Sequence, residues 1–280
     1  MELKRYRWTP ASVDVPFLLG AIGASALSGP ALVMLLGGLG RGESAARNLL
    51  TRMRDLGVLE VESLGRTNIY RLADSSMSRY REVEGTSGTP VWTGSFAALV
   101  YQVPESQRTL RDRLVHQANT AGYGQLRAGV LIATNDRWDR LRMNESEFSG
   151  EAWIHRTTMT PRSLDQAVSM SRTAWNVPEL EHAYARALAR CADVPAVIEP
   201  SWALLVLWRD LYDVFFAAQL HDPHLPAALL PPDWAAGRFT AAQAEVNARI
   251  GNALQPWLRE RADTADPLGA NAYYSSPWAA

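Results

Sequence analysis

Cysteine and lysine are nearly missing from this chain. Its 280 residues include a single cysteine, Cys191, so no internal disulfide and no multi-cysteine metal site can be built. That usage suits a reducing compartment and sets the expectation of a cytoplasmic protein. Lys4 is the lone lysine and every other cation is arginine, a bias that fits GC-rich coding. Arginine therefore does not mark a functional choice at every position. A surplus of one charge is missing too: the formal net charge is −1, and no global polycation advertises a nucleic-acid partner. The imbalance is local, with ten Lys and Arg against seven Asp and Glu in residues 1–80.

Catalytic signatures are also lacking. There is no GxSxG elbow and no HExxH, and Gly122-Tyr123-Gly124 has neither the third glycine nor the following helix of a phosphate cradle. Cys191 and His182 stand nine residues apart on one predicted helix, over two turns, which excludes a nucleophile–base pair within it. His221, Asp222 and His224 have ligand chemistry, but a proline stiffens the run and spacing supplies no further ligand, so a turn is the better reading. The expectation is no enzyme, no catalytic residue, no cofactor and no metal.

One long uncharged stretch is present. No charge falls between Asp14 and Arg41, and Lys4, Arg5 and Arg7 precede it, as in a signal peptide or membrane anchor. Pro16, Pro30 and six glycines interrupt it, and the turn signal Leu27-Ser28-Gly29-Pro30 splits it into pieces too short to span a bilayer. Two short apolar helices stacked beneath another helix explain the same residues.

The richest signal follows, in RGESAARNLLTRMRDLGVLEVESLGRTNIYRL, residues 41–72. A helix is predicted over Glu43–Leu56, with a carboxylate in its first turn and Gly57 as its stop. Ala46, Leu49, Leu50, Met53 and Leu56 share one face, while Arg47, Thr51, Arg54 and Asp55 lie largely on the other. Two strand-like runs, Val58–Glu62 and Thr67–Leu72, flank a Ser63–Arg66 tip that carries a cation. Helix, glycine, strand, Gly-Arg tip and strand is the pattern of a winged helix-turn-helix. Its exposed N-terminal residues would face base edges. Arg47 and Asn48 suit bidentate contacts with guanine and adenine, Thr51, Arg52 and Arg54 would lie nearer the backbone, and Arg66 would reach phosphate or minor groove.

Beyond Gly85–Pro90, a linker by composition, the rhythm changes. Ser95–Val103 reads as a buried strand, Pro104–Thr120 as an amphipathic helix, and Gly122–Thr134 and Ala152–Thr157 as further strands. That order suggests a ferredoxin-like α/β sandwich. From Ser163 the period is helical, strongest over Leu180–Cys191, Trp202–Leu220 and Thr240–Arg261. The fold class expected is α+β: residues 1–85 a winged helix-turn-helix, 89–165 a ferredoxin-like domain, and 166–280 a helical domain with a loosely held tail.

Three segments resemble the PaaX family of bacterial transcriptional repressors. LVMLLGGLGRGESAARNLLTRMRDLGVLEVESLGRTNIYRL looks like its winged-helix core, with the Leu-Gly-x-x-Glu-x-x-x-Arg run and Gly-Arg wing tip. WTGSFAALVYQVPESQRTLRDRL…GYGQLRAGVLIAT is similar to its central domain, and DPHLPAALLPPDWAAG to its C-terminal signature. The resemblance implies a homodimeric repressor on a palindromic double-stranded DNA operator, released by a small acyl-CoA or aromatic effector. The DNA-contacting set is expected at Arg41, Ser44, Ala45, Arg47, Asn48, Thr51, Arg52, Arg54, Arg66 and Thr67. Trp153, His155, Arg156, Trp175, Tyr184 and Trp202 are the aromatic and polar residues expected to line an effector pocket. The competing reading is a metabolite-binding or enzymatic α/β protein whose winged helix contacts proteins.

Overall fold

The structure, a computed structural model, describes residues 10–74, 91–220 and 222–266. Lys4, Arg5 and Arg7, the 85–90 linker, His221 and the tail from residue 267 lie outside the described residues. The fold is mixed α+β with two antiparallel sheets, and the chain divides into two compact units.

The first unit combines residues 1–85 with 186–220 and 238–280. Helix α1 (Pro10–Ile22) leads to a three-residue strand β1 (Ala26–Ser28) and helix α2 (Gly29–Gly38). The predicted Leu27–Pro30 turn is instead a strand-to-helix junction. Ser28 caps α2 by accepting the Ala31 N–H at 3.3 Å, and Pro30 sits in the first turn, where its missing N–H costs nothing. Helix α3 (Glu43–Asp55) follows a four-residue turn, then strands β2 (Leu59–Leu64) and β3 (Thr67–Leu72). The sheet order is β1-β3-β2.

α3 stops as expected of a helix facing Gly57. The Val58 N–H reaches the Met53 carbonyl at 2.9 Å and the Gly57 N–H reaches Arg54 at 2.8 Å, with Gly57 at φ +69°. These two bonds are a Schellman closure, and they turn the chain straight into β2.

α1 and α2 explain why the C-terminal helices join this unit. Val13, Val15, Phe17, Leu18, Leu19 and Ile22 of α1 are all buried, as are Leu32, Leu35 and Leu36 of α2. Helices apolar on every side need cover on every side. That cover comes from α7 (Trp202–Leu220) and α8 (Ala235–Ala265). Phe17 meets Trp208 edge-on at 5.6 Å, and Trp202 lies against Gly38. The two-unit division therefore differs from the three-segment reading: residues 186–220 and 238–280 complete the N-terminal unit rather than standing apart. Burial also accounts for the uncharged run, and no helix among the described residues is long and apolar enough to cross a membrane.

The second unit holds residues 86–185 and 221–237. Strand β4 (Phe96–Gln102), helix α4 (Arg108–Ala121), strands β5 (Gly124–Arg127), β6 (Val130–Ala133) and β7 (Trp153–Met159) form an antiparallel sheet of order β5-β6-β4-β7. Alternation along the strands splits the core into two layers. Leu99, Tyr101, Leu131 and Ile154 meet Leu114 and Ala118 of α4. Phe96, Ala98 and Ile132 meet Ala167 of α5 (Leu164–Ala174) on the other face. No α-helix joins β6 to β7, where two short 3-10 turns stand instead, and α5 comes after the fourth strand. Helix α6 (Val177–Cys191) then carries the chain towards the first unit's segment.

Candidate nucleic-acid interface

α3 has two faces of opposite character. Ala46, Leu49, Leu50 and Met53 are buried against the unit's core. Ser44, Ala45, Arg47, Asn48, Thr51, Arg52 and Arg54 are exposed along the opposite side. The helix N-terminus carries only Gly42 as cap, without a side-chain hydrogen bond, so its first amides point outward. Those amides and the helix dipole favour an anion at that end.

The cations of the face are not equivalent. Arg47 donates to Glu43 Oε1 from Nη2 at 2.8 Å and from Nε at 3.1 Å, one helical turn back. Arg54 is held by Asp55 at 2.8 Å, and that hydrogen bond pushes its pKa further up. Both pairs are mostly exposed, so they orient the guanidinium groups with little hold on them. Arg52 and Arg66 form no ion pair among the described residues. Arg41 differs again. Its Nε donates to Asp14 at 2.5 Å, and its side chain is 29% exposed.

The hairpin beside α3 is set by one glycine. β2 pairs with β3 from Leu59↔Leu72 to Leu64↔Thr67, which leaves a two-residue loop, shorter than the four-residue tip expected. Gly65 takes φ +63° while Arg66 stays out of the left-handed region, the pattern of a II′ turn with glycine first. Arg66 is thereby presented at the tip, next to an exposed Leu64 and half-buried Thr67. The Glu62–Arg71 pair at 2.5 Å and a Ser63–Asn68 bond at 3.0 Å brace the strands behind it.

Sequence reasoning missed the anchor behind this face. Asp14, 5% exposed, accepts from Arg41 through Oδ2 and from the Nε of Arg209 in α7 at 2.7 Å through Oδ1. The signal was there: a lone carboxylate in an otherwise apolar helix demands a buried partner.

Of the six residues expected around an effector, five lie in the second unit and Trp202 lies in the first. Trp153 and His155 lie with ring centroids 4.9 Å apart, tilted by 33°, on exposed β7 positions. Arg156 points to the other face of that strand, paired with Asp136 at 2.6 Å and with its guanidinium 5.6 Å from the Trp138 ring. Trp175 packs on Phe96, and its indole N–H donates to the Gly122 carbonyl at 3.3 Å. Tyr184 donates its hydroxyl to Asp222, whose other oxygen accepts the His224 N–H at 2.7 Å. Burial, reinforced by that carboxylate, drives the Tyr184 pKa upward. Trp234 meets Tyr184 edge-on at 5.6 Å, and Leu229 is buried in the sheet's core. The DPHLPAALLPPDW run is thus a strap on the second unit. Trp202 lines an open depression, of about 430 Å³, with Met34, Glu260, Arg261, Thr264 and Ala265. Among the described residues no group of three or more His, Cys, Asp or Glu is placed to hold a metal ion.

Residues 89–169 match the family model of the PaaX protein central Cas2-like domain. That stretch is similar to the central domain of PaaX proteins. The chain is 25% identical over 249 residues to the transcriptional repressor PaaX of Escherichia coli strain K12, a match covering 84% of this chain and 77% of that protein. Among solved structures, the uncharacterized protein Rv0674 from Mycobacterium tuberculosis matches with a TM-score of 0.63 at 25% identity, covering 92% of this chain and 98% of that one. The PaaX resemblance drawn from three sequence motifs therefore holds.

Proposed function

We propose that this PaaX-like chain is a ligand-responsive transcriptional repressor whose first unit is a winged helix-turn-helix. The observation that carries the reading is the exposed face of α3, bearing Arg47, Asn48 and Thr51 beside a hairpin that presents Arg66. Similarity to a transcriptional repressor supports a regulator and not an enzyme. α2, the Leu39–Gly42 turn and α3 act as the helix-turn-helix, with α3 in the major groove and β2–β3 as the wing. The order β5-β6-β4-β7 and the helix between β4 and β5 support reading the second unit as a ferredoxin-like domain that lacks a helix between β6 and β7.

Arg47 and Asn48 read base edges, Ser44, Ala45 and the helix N-terminus approach the strand, and Thr51, Arg52, Arg54 and Thr67 meet backbone. Arg66 reaches phosphate or minor groove. Arg41 is occupied by Asp14, so its part is to place α3. One such helix covers few base pairs, and a homodimer on a palindrome doubles the contacts. A small effector, an acyl-CoA or aromatic compound, releases the operator. Its seat is the depression at Trp202, because Trp175 and Tyr184 are committed to packing and internal hydrogen bonds. Such a regulator works in the cytoplasm.

The test is selection of duplexes from a random-sequence pool by purified protein at low salt. A two-fold symmetric motif is the expected product. A pool that stays unenriched refutes the reading.

A further inference from the structure

We infer that Asp14 is a positioning residue for the DNA-reading helix, tying the turn before α3 to α7 through a shared buried carboxylate. The inference rests on the proposed role of α3. Asp14 is the one charged residue of α1, and burying a carboxylate is costly unless each oxygen is hydrogen-bonded and its charge matched. Its two oxygens are divided between two elements far apart in sequence. Oδ2 takes the Arg41 Nε at 2.5 Å and Oδ1 takes the Arg209 Nε at 2.7 Å.

Arg209 is itself fixed. It is 6% exposed, its guanidinium carbon lies 5.7 Å from the Phe17 ring, and its Nη1 pairs with Asp213 at 2.6 Å. The turn it reaches through Asp14 is rich in glycine. Gly40 adopts φ +84°, Gly42 caps α3 with no side chain, and neither has any neighbour within 4 Å of a would-be Cβ. Glycines in such a turn leave the backbone many conformations. The backbone bonds from Gly40 N–H to the Gly37 carbonyl at 2.9 Å and from Arg41 N–H to the Leu36 carbonyl at 3.0 Å close the α2 end of the turn, and the Asp14 anchor holds it on the side that leads into α3. The orientation of α3 is therefore set in part from Arg209 on α7, 195 residues from Asp14 along the chain.

A positioning role and simple stabilisation differ in what they do to specificity. Misplacing α3 weakens base contacts but spares phosphate attraction, which depends on charge more than on register. The probe is the duplex enriched from a random pool by the wild-type protein, with a scrambled duplex as control. Asp14→Asn keeps the shape and loses the charge, while Arg209→Met alters only α7. Each is expected to weaken binding to the enriched duplex about five- to twentyfold, with scrambled-duplex binding nearly unchanged. The double variant is expected to be no worse than either alone, because both cut one chain of contacts. Hydrogen exchange of the free Asp14→Asn protein is expected to speed at amides 42–46.

Enriched-duplex affinity at the wild-type level in folded Asp14→Asn, or effects of positions 14 and 209 that multiply, would overturn the inference. If Asp14→Asn does not fold, Arg41→Met decides, since it leaves the Asp14–Arg209 pair intact: loss of specific affinity alone supports the inference and wild-type binding overturns it. An Arg47→Ala variant that binds like wild type, or a pool that never enriches, instead strikes the underlying reading of α3. The exchange measurement needs no DNA and judges the positioning by itself.

Discussion

Gly37 and Gly38 end α2 side by side, yet adding one methyl to each has opposite consequences. A Cβ at Gly37 meets nothing within 4 Å. A Cβ at Gly38 falls closer than 3.0 Å to three carbons of the Trp202 ring. Neither glycine has a positive φ, so alanine fits both backbones. Gly37→Ala is expected to stabilise by about 0.4–1 kcal/mol, because the unfolded chain loses freedom that the helix never used. Gly38→Ala gains the same entropy but must displace an indole, and overpacking of this kind costs about 1–3 kcal/mol. The entropic part cancels between the two variants, so their difference isolates the clash. Trp202 cannot retreat easily, since it already sits edge-on to Trp257 with centroids 4.8 Å apart. Urea denaturation followed by far-UV circular dichroism measures both midpoints. Gly38→Ala should unfold at lower urea than wild type or equal to it, and Gly37→Ala at higher urea. Equal gains at both positions would show that α7 does not rest on the end of α2, and the account of why the C-terminal helices join the first unit would fall with it.

Arg47→Ala loses only an exposed pair with Glu43, worth about 0.3–0.5 kcal/mol of stability. Its affinity for an enriched duplex should drop by about 1–3 kcal/mol with relaxed preference at one base pair per half-site, readable by fluorescence anisotropy on a set of single-base variants. Tyr184→Phe strips a buried carboxylate of one of its donors, and a loss of about 1.5–3 kcal/mol in urea unfolding is expected; an unchanged midpoint would mean that Tyr184 does not seat Asp222. Asp136 is held below the usual carboxylate range, chiefly by the hydrogen bond from Arg156. A depressed folded pKa adds stability above pH about 4 that is lost as pH falls through the lower folded value. Wild type should therefore exceed Arg156→Ala in urea midpoint at pH 6, and the gap should shrink at pH 2.5; a gap independent of pH would rule out the Asp136 pair as its source.

What was legible in the sequence was local. The spacing of Ala46, Leu49, Leu50 and Met53 and the Gly57 stop place α3 to within a residue of its observed end, because side-chain periodicity and a Schellman glycine act over a single turn. The hairpin is legible as strands, but the sequence suggests a four-residue tip where Gly65 permits two. β1 was missed since three residues carry no period, and Ala26–Ser28 become a strand only by pairing with Ile69–Arg71. The strands of the second sheet are legible as apolar runs, but their order and the position of α5 after β7 do not follow from spacing. Aromatic residues misled most. Trp175 and Tyr184 have the composition of a ligand pocket, but their polar atoms are satisfied by Gly122 and Asp222, which lie 53 and 38 residues away along the chain. Partners at that distance leave no mark in local pattern.

The same division separates the arginines that a nearly lysine-free chain cannot distinguish by type. Arg41 and Arg47 are six residues apart in a run that reads as one basic patch. Folding gives one a buried carboxylate from α1 and the other an exposed glutamate on its own helix. A guanidinium shared with a buried carboxylate is expensive to withdraw, because the carboxylate would be left unpaired in a low dielectric. One shared with an exposed glutamate exchanges partners at almost no cost. Arg41 is therefore built to hold position and Arg47 to let go of Glu43 when a better acceptor arrives. Net charge could not reveal this, since the proposed reading face would depend on which cations are released and not on how many there are. A chain of formal charge −1 can present a DNA-reading surface on these terms, provided that its acids are spent where they fix geometry.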